Sequence, residues 1–127
     1  MKFIASDNLP QAIGPYSPAV KVNGMIYTSA QVPVTLDGTI VERDIKVQTR
    51  QVLSNLRTLL EDAESGMDKV VKVCIYLENI EDFGVVNVLF AEAFGDHKPA
   101  RSTISAKGLP KNSMIMVDAI ALANDYR

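Results

Sequence analysis

The chain has 127 residues, enough for one domain over residues 1–127 with a core of its own and too few for two ordinary ones. Hydrophobic residues make up 47% and charged residues 22%, the formal net charge is −2, and no segment gathers lysine and arginine, so no nucleic-acid surface is expected. With one cysteine, Cys74, and one histidine, His97, the chain offers no intramolecular disulfide and no Cys/His metal cluster, and no run approaches the ~20 apolar residues of a membrane span.

Residues 1–10 carry Lys2 and Asp7 and no apolar run, so they do not read as a signal peptide, and a cytoplasmic protein is expected. Val20-Lys21-Val22 and residues 25–34 are strand-like. Asn23-Gly24 between them is a hairpin signal, because both residues tolerate positive φ. Leu36-Asp37-Gly38-Thr39 is a second turn. Residues 44–65 predict an amphipathic helix: Val52, Leu53, Leu56, Leu59, Leu60 and Ala63 recur at helical spacing, Asp44 suits the N-cap and Gly66 a stop. Residues 70–78 are rich in β-branched side chains and read as a strand.

Residues 80–94 predict a second helix with Phe83, Val86, Phe90, Ala93 and Phe94 on one stripe and Glu81 and Asp82 in its first turn. A short strand at 101–106 and a connection at 108–112 follow. Residues 114–122 form a last, nearly all-apolar strand, a pattern that predicts burial on both faces. Two helices cover only one face of a mainly antiparallel sheet, so the other face is expected to pack against copies of the same chain.

Three segments, in order, resemble the RidA/YjgF family: Ile13-Gly14-Pro15-Tyr16-Ser17-Pro18-Ala19-Val20, Tyr27-Thr28-Ser29-Ala30-Gln31-Val32-Pro33, and Pro99-Ala100-Arg101-Ser102-Thr103-Ile104. Leu109-Pro110-Lys111, Asp118-Ala119-Ile120-Ala121 and the stretch from Asp82-Phe83 to Asn87 extend the likeness over nearly the whole chain. The resemblance implies an α+β, chorismate-mutase-like domain with a mixed, mainly antiparallel sheet and two helices on one face. It implies a homotrimer around a central β-barrel, with three equivalent clefts between subunits. In active members those clefts hydrolyse 2-imino acids such as 2-iminobutanoate and 2-iminopropanoate to 2-keto acids and ammonia, with no cofactor and no metal.

Carried over residue by residue, the resemblance makes Arg101 the carboxylate-binding group. A guanidinium grips a carboxylate through two parallel hydrogen bonds, a geometry lysine cannot copy. The backbone N–H of Thr103 is the second carboxylate contact; many members carry cysteine there. Ser29 matches a family serine, and otherwise reads as a hydroxyl bonded to nearby backbone. Ala30 stands where glycine is usual, and one methyl narrows the pocket. Tyr16 matches a tyrosine contributed by the adjacent subunit, and otherwise covers the core edge. Asn87 joins the site, or is an exposed helix polar residue.

Met116 departs most sharply, because deaminase members carry a glutamate at this position. A carboxyl group can activate water and protonate the departing nitrogen; a thioether can only line a pocket. Asp118 shares the strand face with Met116 and reads as a structural acid. Cys74, on a face with Lys72 and Tyr76, reads as packing, and His97 as a solvated loop residue. Three functions follow: imine deaminase; a non-catalytic trimeric module binding small carboxylate metabolites, which Met116 and Ala30 favour; and last a ribonuclease or translation inhibitor, for which the chain has neither a histidine pair nor a basic groove.

Overall fold

In the computed structural model, which describes residues 1–126, six strands and two α-helices follow in the order β1 (Lys2–Ile4), β2 (Ala19–Val22), β3 (Met25–Thr28), α1 (Ile45–Asp62), β4 (Val70–Leu77), α2 (Phe83–Phe94), β5 (Ala100–Ser105), β6 (Ile115–Leu122). The strands form one sheet in the order β1-β2-β3-β6-β4-β5. All neighbours are antiparallel except β4 and β5, which run parallel with α2 as their crossover. No helix among the described residues is long and apolar enough to cross a membrane.

The hairpin between β2 and β3 turns where Asn-Gly predicts, with Asn23 at φ 52° and Gly24 at φ 76°. The strand expected over 25–34 is shorter, because the chain leaves the ladder after Thr28. The Thr28 hydroxyl accepts from the Ala119 N–H at 2.9 Å, the Ser29 N–H turns to Pro18 O at 2.8 Å, and Pro33 has no N–H to offer. A lone bridge between Gln31 and Val117 is the last contact of this segment with β6.

Helix α1 starts where expected: Asp44 caps it, accepting from the N–H groups of Lys46 at 2.9 Å and Val47 at 3.1 Å. It ends before Gly66. Glu64 takes the left-handed position, φ 61°, and the Ser65 N–H closes on Leu60 O at 2.8 Å. The second helix opens later than expected. Ile80–Asp82 is a 3-10 turn whose Glu81 N–H bonds the Asn79 side chain, and α2 proper begins at Phe83. Strand β1 is an element that the sequence reading leaves out; it is too short to show a period and is held by pairing Phe3 with Val20 and Ile4 with Ala19.

One face of the sheet carries the core. Val73, Ile75 and Leu77 of β4 and Ile115, Val117, Ala119 and Ala121 of β6 are buried there against Val52, Leu56 and Leu59 of α1 and Val86 and Phe90 of α2. The burial of β6 on both faces is not found within one chain. Met116, Asp118, Ile120 and Leu122, on its other face, are only half-buried. That open face continues in register through Tyr27 and Val20 to the exposed Phe3 on one side, and through Tyr76 to the exposed Ile104 on the other.

Candidate functional site

The motif residues gather at two separate cavities. The first, of about 320 Å³, lies between the 9–18 loop and the segment leaving β3, and Tyr16, Ser29 and Ala30 line it together with Gln31, Asn55 and Lys111. Of α1, buried Asn55 lines it. The Asn55 amide donates to Val32 O at 3.1 Å and Val34 O at 2.9 Å, and its carbonyl accepts from Gln51 Nε2 at 2.9 Å. Gln48, about two turns earlier, donates to Glu42 O at 3.2 Å and accepts from the Met114 N–H at 2.8 Å. These amides moor the irregular 29–43 segment, whose backbone groups would otherwise be buried without partners.

Lys111 reaches this cavity from a turn in which Lys111 and Asn112 both hold positive φ, 57° and 54°. Such conformations are uncommon for side chains beyond glycine and persist where surrounding bonds hold them. Here Arg43 donates from Nε to Asn112 O at 3.2 Å and pairs through Nη2 with Glu78, while the Ser113 hydroxyl donates to Pro110 O at 2.8 Å.

The second cavity, of about 400 Å³, lies between α2 and β5 and holds Arg101, Asn87, His97 and Lys98 against Phe90 and Phe94. Its lining includes two basic side chains, Lys98 and Arg101, and among the described residues no acidic one, the electrostatics of an anion site. Arg101 Nη1 donates to Asn87 Oδ1 at 2.6 Å, and the guanidinium carbon stands 5.1 Å from the centre of the Phe83 ring. Both contacts fix the fork, while among the described residues nothing bonds Nε and Nη2, the edge suited to a carboxylate. Asn87 is therefore a partner of Arg101 as well as an exposed helix polar residue. Thr103, two residues along β5, shares Arg101's face of the sheet, and its buried hydroxyl has no hydrogen-bond partner. His97, expected to be solvated, is half-buried: its Nε2 lies 2.7 Å from Val70 O and its ring lies near Phe94, pinning the loop that leads into β5.

Among the described residues the two groups do not share a cavity, and none lines both. Met116 lines neither cavity, though its strand passes beside the first. Gln31 exchanges hydrogen bonds with Val117, 2.7 and 3.1 Å, so the Ser29–Ala30–Gln31 stretch runs past the segment from Met116 to Asp118. Arg101 and Thr103 align with Val73 and Ile75 on the helix-covered face, whereas Met116 aligns with Tyr76 on the open one. Ser29 Oγ donates to Ser17 O at 2.6 Å, the backbone bond that its alternative reading describes. The sequence reading left Gln48, Asn55 and the left-handed turn at Lys111 unassigned; buried amides at helical spacing on the apolar stripe of α1 were the available signal for the first two.

Asp118 accepts from the Tyr76 hydroxyl at 2.8 Å. That bond, burial and the Asp118 charge push the Tyr76 hydroxyl from its usual value near 10 up to about 12. Because the folded pKa is raised, the stabilisation is complete below about pH 10 and is lost as pH rises toward about 12. The stability difference between the natural protein and Tyr76→Phe, measured by urea unfolding, should therefore shrink across that window. A difference that stays constant from about pH 9 to about pH 12 would contradict this.

The sequence matches the Endoribonuclease L-PSP family over residues 6–123. A RutC family protein of Pyrococcus horikoshii is 43% identical over 121 residues, covering 94% of this chain and 96% of the relative. A Salmonella typhimurium protein named 2-iminobutanoate/2-iminopropanoate deaminase is 36% identical, covering 95% of this chain and 97% of its own. A crystal structure from Yersinia pestis, described as a protein of unknown function of the conserved Rid protein family, superposes with a TM-score of 0.94 at 42% identity, covering 96% of this chain and 98% of that one. Its mixed fold of two helices on a six-stranded sheet and these matches over nearly its whole length make this chain a member of the RidA/YjgF family.

Proposed function

We propose that the chain assembles as a homotrimer and hydrolyses 2-imino acids to 2-keto acids and ammonia, without a cofactor, in clefts where the Arg101 cavity of one copy meets the Tyr16 cavity of the next. The division of the motif residues between two cavities of one chain is the observation that carries this reading. A second copy brings the halves together, and the open sheet face, with Phe3, Tyr27 and Ile104 exposed, gives the copies an apolar surface to share. The deaminase name of the Salmonella relative supports the choice of reaction.

In the reaction, the free Nε/Nη2 edge of Arg101 holds the substrate carboxylate, with the Thr103 backbone N–H as second donor. Water adds through oxygen to the imine carbon and gives up a proton. The C–N bond of the resulting carbinolamine then breaks, nitrogen leaves as ammonia with the proton it needs, and the carbon becomes a carbonyl. Arg101 contributes mainly positioning, which converts a bimolecular encounter into a local one. General acid–base help is weak, because Met116 stands where a carboxyl would serve and Asp118 is engaged with Tyr76.

Met116 favours a second reading, in which the same clefts bind small carboxylate metabolites and turn nothing over. Freshly generated 2-iminobutanoate, in competition with semicarbazide, separates the two. Keto acid released faster than without protein, though slowly, is the expected result. Equal rates with and without protein, beside saturable binding of 2-ketobutyrate, would establish the binding module instead.

A further inference from the structure

The polar groups around the Tyr16 cavity are largely engaged already. Ser29 donates to Ser17 O, Gln31 Nε2 donates to Ser29 O at 3.3 Å, and Asn55 is bonded at both ends of its amide. Asp37 accepts from the Thr35 hydroxyl and, at 3.1 Å, from the Thr39 N–H, bonds that hold its carboxyl below the usual range. Among the described residues, the lining side chains left with no protein hydrogen bond through a donor are the Gln11 amide, the Tyr16 hydroxyl and the Lys111 ammonium. The remaining wall is apolar, with Leu9 and Val34 buried at the back and Ile13 and Leu36 at the mouth. Ile13 is 75% exposed and Leu36 59%, so two large apolar side chains face water at the edge of a cavity whose lining is mostly apolar.

We propose that this cavity receives the side chain of the substrate, and that the chain prefers 2-imino acids with a branched or extended apolar side chain to those of three or four carbons. The proposal rests on the deaminase reading and names its substrate class. Size and chemistry both point this way. At the ~30 Å³ that one water occupies, the cavity would hold about ten waters, against three lining side chains with a free donor, Gln11, Tyr16 and Lys111. The methyl or ethyl group of a small imino acid would leave most of that space filled by poorly bonded water. A four-carbon branched chain would displace that water and cover Ile13 and Leu36, and the gain grows with the apolar area removed from water. Ala30 adds apolar surface to the same cavity.

The test is kcat/KM for imines generated in situ by an amino-acid oxidase from alanine, 2-aminobutyrate, methionine and leucine. The leucine-derived imine should exceed the alanine-derived one by roughly ten- to a hundredfold, with intermediate values between them. Leu36→Ser and Ile13→Ser, both at exposed positions, should pull that ratio toward one. Hydrolysis of the alanine-derived imine as fast as or faster than the leucine-derived one overturns the proposal and leaves the deaminase reading standing. If no imine is hydrolysed, the deaminase reading falls, and calorimetry with 2-ketobutyrate and 4-methyl-2-oxopentanoate decides the question. Tighter binding of the longer acid sustains the cavity's selectivity; equal or weaker binding, or binding of neither, overturns it.

Discussion

Replacing Met116 with glutamate should raise kcat/KM for 2-iminobutanoate by about a hundred- to ten-thousandfold, the usual contribution of a positioned acid–base group. Imine hydrolysis needs a base for the attacking water and an acid for the leaving nitrogen, and a carboxyl beside the Ser29–Ala30–Gln31 stretch could do both in turn. The gain has a cost. A carboxylate at position 116 would sit on the half-buried face next to Tyr76, two residues from the Asp118 carboxylate. Desolvation and like-charge repulsion should lower stability by about 1–3 kcal/mol. Asp118 is the competing explanation for any activity of the natural protein, because its carboxyl is oriented by Tyr76 on the same face. If Asp118 activates water through a second water, Asp118→Asn removes the activity. A folded Met116→Glu protein no faster than the natural one would show that position 116 does not reach the reacting atoms.

Arg101→Ala should weaken binding of 2-ketobutyrate by about ten- to a hundredfold, the range of about 1.5–3 kcal/mol for a hydrogen bond to a charged group. The fold should survive, because Arg101 is exposed on an edge strand and its one side-chain hydrogen bond is to exposed Asn87. Arg101→Lys should recover little, since an ammonium can neither present two parallel donors nor stack on Phe83 as a plane. Equal affinity in natural and Arg101→Ala proteins, read by calorimetry, would move the carboxylate site elsewhere.

Much of this architecture was legible from the sequence because it is local. The Asn23-Gly24 turn and the Asp44 cap are decided by a few neighbouring residues, and the apolar stripe of α1 is a repeat within one element. What was not legible depends on contacts far apart in sequence. Residues 29–34 look like more strand, but Thr28 replaces its backbone with its hydroxyl at Ala119 and buried Asn55 draws the chain toward α1 instead. β6 reads as buried twice, yet one chain supplies helices for only one face. The resemblance already assigns Tyr16 to an adjacent subunit's share of the cleft; that Ser29 lines the Tyr16 cavity and not the Arg101 one depends on the sheet order and the α2 crossover. His97 looked solvated because nothing nearby in sequence reveals that Val70 O lies within reach.

Subunit complementation tests the shared cleft most directly. Arg101→Ala and Tyr16→Ala proteins, each with little activity alone, are mixed under conditions that exchange subunits. Wherever an Arg101 supplied by one variant faces a Tyr16 supplied by the other, the cleft is intact. Random mixing should restore roughly a quarter of the natural kcat/KM. Activity no higher than that of the separate variants, after exchange has been verified by mass, would contradict a site built between copies of this chain.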